Sequence, residues 1–91
     1  MNITGPESRP RIAHGFRLQW EEVQQAHVLL YPEGMVKLNQ SAGEILKRCD
    51  GCRNVGEIVN ELEAAFSTSG LQAEVFAFME LASRQRWLAW E

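Results

Sequence analysis

The stretch Leu29-Leu30-Tyr31-Pro32-Glu33-Gly34-Met35-Val36-Lys37-Leu38-Asn39 leaves few choices of fold. Two apolar runs rich in strand formers flank Pro32-Glu33-Gly34, which is the pattern of a tight hairpin. Pro32 suits the first corner of a type I turn, and Gly34 suits a positive φ that starts a bulge. The second run, Met35 to Leu38, stops at Asn39, a good helix N-cap, so this strand should run directly into a helix. A short strand in that position ends a small sheet with its outer edge free, one of the two edges that a meander of three strands leaves. That edge is the expected working surface, and the chemistry it offers is binding.

Two further strands precede the hairpin. Phe16-Arg17-Leu18-Gln19-Trp20-Glu21 alternates apolar and polar residues, as a strand with one buried face does. Gln24 and Gln25 fall near a turn. Ala26 to Tyr31 is apolar on both faces and suits a central strand. The order predicts an antiparallel meander of three strands.

Helical periodicity takes over after Asn39. Ser41 is a second candidate cap, with Glu44 three residues on as in a capping box. Ala42, Ile45, Leu46 and Cys49 share one face, and Gly43 inside the helix leaves room for close packing. Asp50-Gly51 is a stop signal. Asn54 and Glu57 open a second helix with the stripe Val55, Ile58, Val59, Leu62, Ala65 and Phe66. Ser67-Thr68-Ser69-Gly70 breaks it. A third helix starts near Leu71, with Leu71, Val75, Phe78, Met79 and Ala82 as its main stripe, widened by Phe76 and Leu81. Trp87 to Trp90 is either its last turn or a short extended segment. The expected class is α+β: a three-stranded antiparallel sheet followed by three helices, in a winged-helix-like arrangement.

The chain of 91 residues fits one small domain, expected over residues 14–91, preceded by a flexible arm over residues 1–13. Pro6 and Pro10 interrupt regular pairing in that arm, and Arg9-Pro10-Arg11 makes it basic. No apolar run is long enough for a bilayer, and the N-terminus lacks a signal-peptide core, so a cytoplasmic location is expected. The net charge of −3 argues against nucleic acid, as does a second helix with Glu57, Glu61 and Glu63 and no Lys or Arg. A winged-helix DNA-binding regulator is therefore the weaker alternative, and a simple homodimerisation module using the same edge is another.

No catalytic constellation is present. Cys49-Asp50-Gly51-Cys52 is a C-x-x-C at a helix end, where no N-terminal dipole lowers a thiol pKa, and no second ligand pair completes a zinc site. The structural reading is preferred, with Cys49 as a small core residue. His27 lies in an apolar strand with no Ser or Asp placed for it. The chain is read as no enzyme, with no metal and no cofactor.

Taken together, several segments resemble a known family. They are Arg9-Pro10-Arg11, Leu29-Leu30-Tyr31-Pro32-Glu33-Gly34, Leu38-Asn39 with Ala42, Ile45-Leu46, Cys49-Asp50-Gly51, Val55 with Glu57-Ile58-Val59, and Trp87-Leu88. This combination resembles the coenzyme PQQ synthesis protein D (PqqD) family. The resemblance implies a peptide-recognition domain for ribosomally made, modified peptides. It implies a non-catalytic peptide chaperone that binds the precursor peptide PqqA and presents it to the radical SAM enzyme PqqE. Iron–sulfur clusters and S-adenosylmethionine would belong to that enzyme. Edge-strand addition in related domains implies a bound peptide along Met35, Val36, Lys37, Leu38 and Asn39, with Phe76, Met79 and Ser83 as a helical wall. Arg9, Arg11, Trp87 and Trp90 are candidates for docking the enzyme, with buried caps and a loose tail as the plainer reading. A homodimer is a further partner to consider.

Overall fold

Alternating side chains build the first half of the chain into a sheet, and three amphipathic helices cover one face of it. The computed structural model describes residues 7–90. In chain order the elements are β1 (Pro10–Ile12), β2 (Arg17–Glu21), β3 (Ala26–Tyr31), β4 (Gly34–Lys37), α1 (Gln40–Lys47), α2 (Val55–Ala65), α3 (Gln72–Arg84) and β5 (Leu88–Trp90). Strands β2, β3 and β4 form the antiparallel sheet in that order. The three-stranded sheet and three helices match the sequence-based expectation, with β1 and β5 as additions.

Leu29 stands at the centre of β3, pairs with Leu18 on one side and Val36 on the other, and is fully buried. Burying such a side chain stabilises the fold by about 1.5–3 kcal/mol. It packs in one cluster with Ile45 and Leu46 of α1, Ile58 and Leu62 of α2, and Val75 and Met79 of α3. Gly43 lets α1 approach the sheet. A Cβ there would lie 2.7 Å from His27 Nδ1 and 3.1 Å from His27 Cβ, so the close packing read from the sequence is real.

The hairpin differs in one detail. Tyr31 pairs directly with Gly34, so only Pro32 and Glu33 lie in the loop. No extra residue remains to form the expected bulge, and Gly34 is nearly extended at φ +159°.

Caps place the helices. The Asn39 side chain accepts from the Ala42 N–H at 2.8 Å and starts α1. Ser41 lies inside the helix, so Glu44 forms no capping box with it and instead accepts from Arg48 Nη1 at 2.8 Å. At α2 the box is complete, with Asn54 and Glu57 each accepting the other's backbone N–H at 2.8 Å. Gly51, at φ +81°, makes the left-handed turn between these helices, where residues with a Cβ are strained. Helix α3 has no side-chain cap at Leu71. Glu63 supplies one from α2, its Oε2 accepting the Leu71 N–H at 3.0 Å.

The flexible arm needs correction. Residues 1–6 lie outside the described residues, but Ser8 to Ala13 is tied down. Pro10, Arg11 and Ile12 pair with Trp90, Ala89 and Leu88. The Ala13 N–H donates to the Trp87 carbonyl at 2.8 Å, the Pro10 carbonyl accepts from Gly51 at 2.9 Å, and the Ser8 carbonyl accepts from Val55 at 3.0 Å. Pro10 lacks a donor and is fully buried. The proline does not interrupt β1, because it sits where a strand can do without that N–H.

Candidate functional site

The direction of each backbone group on β4 follows from one hydrogen bond. The Leu38 N–H donates to the His27 carbonyl at 3.0 Å. In an antiparallel ladder, hydrogen-bonded and non-hydrogen-bonded pairs alternate. Val36 with Leu29, and Gly34 with Tyr31, are therefore the other hydrogen-bonded pairs of this register. Met35 and Lys37 turn their N–H and C=O groups away from β3. Among the described residues no strand lies beyond β4, so these two residues present an open main-chain edge.

Side chains alternate in the complementary sense. Val36 packs against the core and Leu38 is buried within it. Met35, 50% exposed, and Lys37 stand on the opposite face. There Arg17, Leu30 and Met35 make one cross-strand row, and Gln19, Val28 and Lys37 make the next.

The expected site residues divide accordingly. Met35 and Lys37 offer both main chain and side chain. Val36 uses its N–H inside the sheet, in the hydrogen-bonded pair with Leu29. Leu38 is only 5% exposed and its N–H is occupied, which removes it as a contact. Asn39 is committed to capping α1. Met79 is fully buried in the core and is also removed from the expected wall. Phe76 is half-buried at the margin of the core. Ser83 has a structural partner: its Oγ accepts from Trp90 Nε1 at 2.9 Å.

The residues considered for docking are similarly engaged. Trp87 packs against Phe78, with ring centroids 6.5 Å apart, and Trp90 pairs with Pro10. Arg11 lies in β1 beside Ala89 and Asp50, while Arg9 is exposed.

The other chemical groups serve the scaffold. Cys49 is buried and its thiol is pushed up to about 12 by burial first and by the neighbouring Asp50 second. Arg48 joins Glu44 of α1 to Glu61 of α2, and Arg53 joins Asp50 to Glu61. The α2 carboxylates thus hold caps and ion pairs, a role that their spacing alone did not reveal. Among the described residues no group of three or more His, Cys, Asp or Glu side chains is placed to hold a metal. No helix among the described residues is long and apolar enough to cross a membrane.

One cavity lies among the helices, and another reaches Leu38 and Asn39, the residues that follow β4. The first, about 250 Å³, is lined by Ile45, Leu62, Phe66, Leu71 and Val75 among others. The second, about 230 Å³, lies between Trp20, His27, Leu38 and Glu44. Neither is lined by Met35, Val36 or Lys37.

Known proteins resemble this chain over most of its length. The family described as Coenzyme PQQ synthesis protein D (PqqD) matches residues 26–88, from β3 to the start of β5. A protein of Pseudomonas aeruginosa (strain UCBPP-PA14) named PqqA binding protein is 49% identical over 89 residues, covering 97% of each chain. One of the same name from Methylococcus capsulatus is 41% identical over 83 residues, covering 91% of this chain and 89% of that one. The solution NMR structure of the PqqD truncation of Methylobacterium extorquens PqqCD is similar at TM-score 0.74 and 30% identity, covering 88% of this chain and 87% of that one. Its description is a functional, stand-alone recognition element for ribosomally synthesized and post-translationally modified peptides (RiPPs). With the match running from the central strand through all three helices, and near-half identity over almost the whole length, the chain belongs to the coenzyme PQQ synthesis protein D (PqqD) family.

Proposed function

We propose that this chain is a non-catalytic peptide chaperone of PQQ biosynthesis. It binds the precursor peptide PqqA as an added strand along β4 and presents it to the radical SAM enzyme PqqE in the cytoplasm. The observation that carries this reading is the outward direction of the Met35 and Lys37 main-chain groups. An extended peptide satisfies those groups and continues the sheet, with main-chain bonds supplying affinity and alternate side chains supplying selectivity. Relatives named for binding PqqA support the choice of peptide.

The charge distribution favours a peptide over DNA. Helix α2 has no basic residue, and α3 carries Glu74 and Glu80 beside Arg84. Such helices meet phosphates poorly. Self-pairing through β4 in a homodimer would use the same groups and compete with the peptide.

Titrating isotope-labelled protein with PqqA tests the reading. Amide signals of Met35 and Lys37 should move more than those of α2. Uniform movement, or none, counts against it. Pull-down with PqqE, alone and with PqqA, tests presentation to the enzyme.

A further inference from the structure

We propose that the β4 edge selects a guest segment bearing a carboxylate two residues from an apolar side chain. This rests on the proposed use of β4 and adds the chemistry of the segment it takes.

The geometry comes from the ladder. Met35 and Lys37 are the two β4 residues whose N–H and C=O point outward. A guest strand must bond to both, so its residues opposite them are two apart. Directly opposed residues project on the same face of a sheet. Those two guest side chains therefore meet the Met35 thioether chain and the Lys37 ammonium. The guest residue between them turns to the other face, beside Val36, where an apolar side chain continues the core margin.

The electrostatics select the sign. Among the described residues, Lys37 is in none of the ion pairs, which instead use Lys47, Arg48, Arg53 and Arg84. On its face of the sheet the other charged side chains of β2 are Arg17, in the row of Met35, and Glu21, opposite Ala26 at the far corner. Two cations to one carboxylate make this face locally positive in a chain of net charge −3. A carboxylate placed opposite Lys37 gains a cross-strand ion pair, whereas a basic residue there meets a like charge. Met35, half-exposed, gains burial from an apolar neighbour.

The test is a charge swap read by calorimetric titration at low and high salt. The probes are PqqA and versions with each Asp or Glu changed singly to Lys. The proteins are wild type, Lys37→Gln and Lys37→Glu, each checked for folding by its amide spectrum. Lys37→Glu should bind PqqA about 2- to 5-fold more weakly, with Lys37→Gln between the two. One acid-to-Lys peptide should bind wild type more weakly and regain affinity with Lys37→Glu, and the difference should shrink with salt. If wild type binds PqqA with shifts at Met35 and Lys37, yet Lys37→Glu compensates no peptide charge, this inference falls and the edge reading stands. If wild type does not bind PqqA, both fall.

Discussion

The two sheets of this small protein treat their edges in opposite ways. Strand β1 is used on both sides: β5 takes one edge, and the Pro10 carbonyl on the other accepts from Gly51 in the α1–α2 link. Strand β4 has β3 on one side and, among the described residues, no strand on the other. Both strands are short, and both carry a residue that discourages uncontrolled pairing, Pro10 in one and Lys37 in the other. The difference lies in what surrounds them. Pairing of Pro10–Ile12 with Leu88–Trp90 closes β1 into the scaffold, whereas β4 sits at the end of a meander and passes at once into α1. Closure stabilises the domain; the open border leaves the Met35 and Lys37 main-chain groups facing outward.

Changes at the closed region should reach stability first. Trp90→Ala removes a packed indole and its bond to Ser83, and should cost about 3 kcal/mol in chemical denaturation. A loss confined to peptide affinity would mean that β5 belongs to the site and not to the scaffold. Proline substitutions along β4 then separate the inward from the outward positions. Val36→Pro deletes a ladder bond to Leu29 and should destabilise by about 1–3 kcal/mol. Lys37→Pro deletes an outward donor. Its stability should change little, while affinity for PqqA falls roughly 5-fold relative to Lys37→Ala. Equal effects of the two prolines on stability would break the inferred phase of the ladder.

The smallest effect concerns acid. Hydrogen bonds from the Cys52 and Arg53 N–H groups hold the Asp50 carboxyl below the usual range, and the Arg48 hydrogen bond does so for Glu44. Both folded-state values lie below the unfolded ones. Their contribution is therefore complete above the ordinary carboxylate range and is lost as pH falls through the lowered values. Denaturation midpoints should decline over that window, and Glu44→Gln should flatten part of the decline. An unchanged profile would mean that these ion pairs at the α1–α2 link do not matter to the closed region.

The legible parts were those set by near neighbours. Asn54 and Glu57 three residues apart announced their capping box, and Gly51 announced the helix stop. Apolar alternation and helical spacing gave the three strands and three helices, together with most of the core. The segments that resemble the PqqD family pointed to the same β4 edge. What stayed hidden depended on distant partners. Nothing in Arg9-Pro10-Arg11 says that Leu88 to Trp90 will lie beside it. Met79 and Phe78 share the main apolar stripe of α3, yet one is fully buried and the other only partly, because only packing sets how a helix is rotated.

By itself, then, the sequence determined the kinds of element, their order and the short strand ending in a helix cap, since these follow from local backbone preferences and side-chain period. Only the tertiary structure decided which β4 amides face outward and that β1 pairs with β5. Ladder phase and strand pairing depend on bonds between residues far apart in the chain, such as Leu38 to His27 and Ala13 to Trp87, and no local preference encodes those.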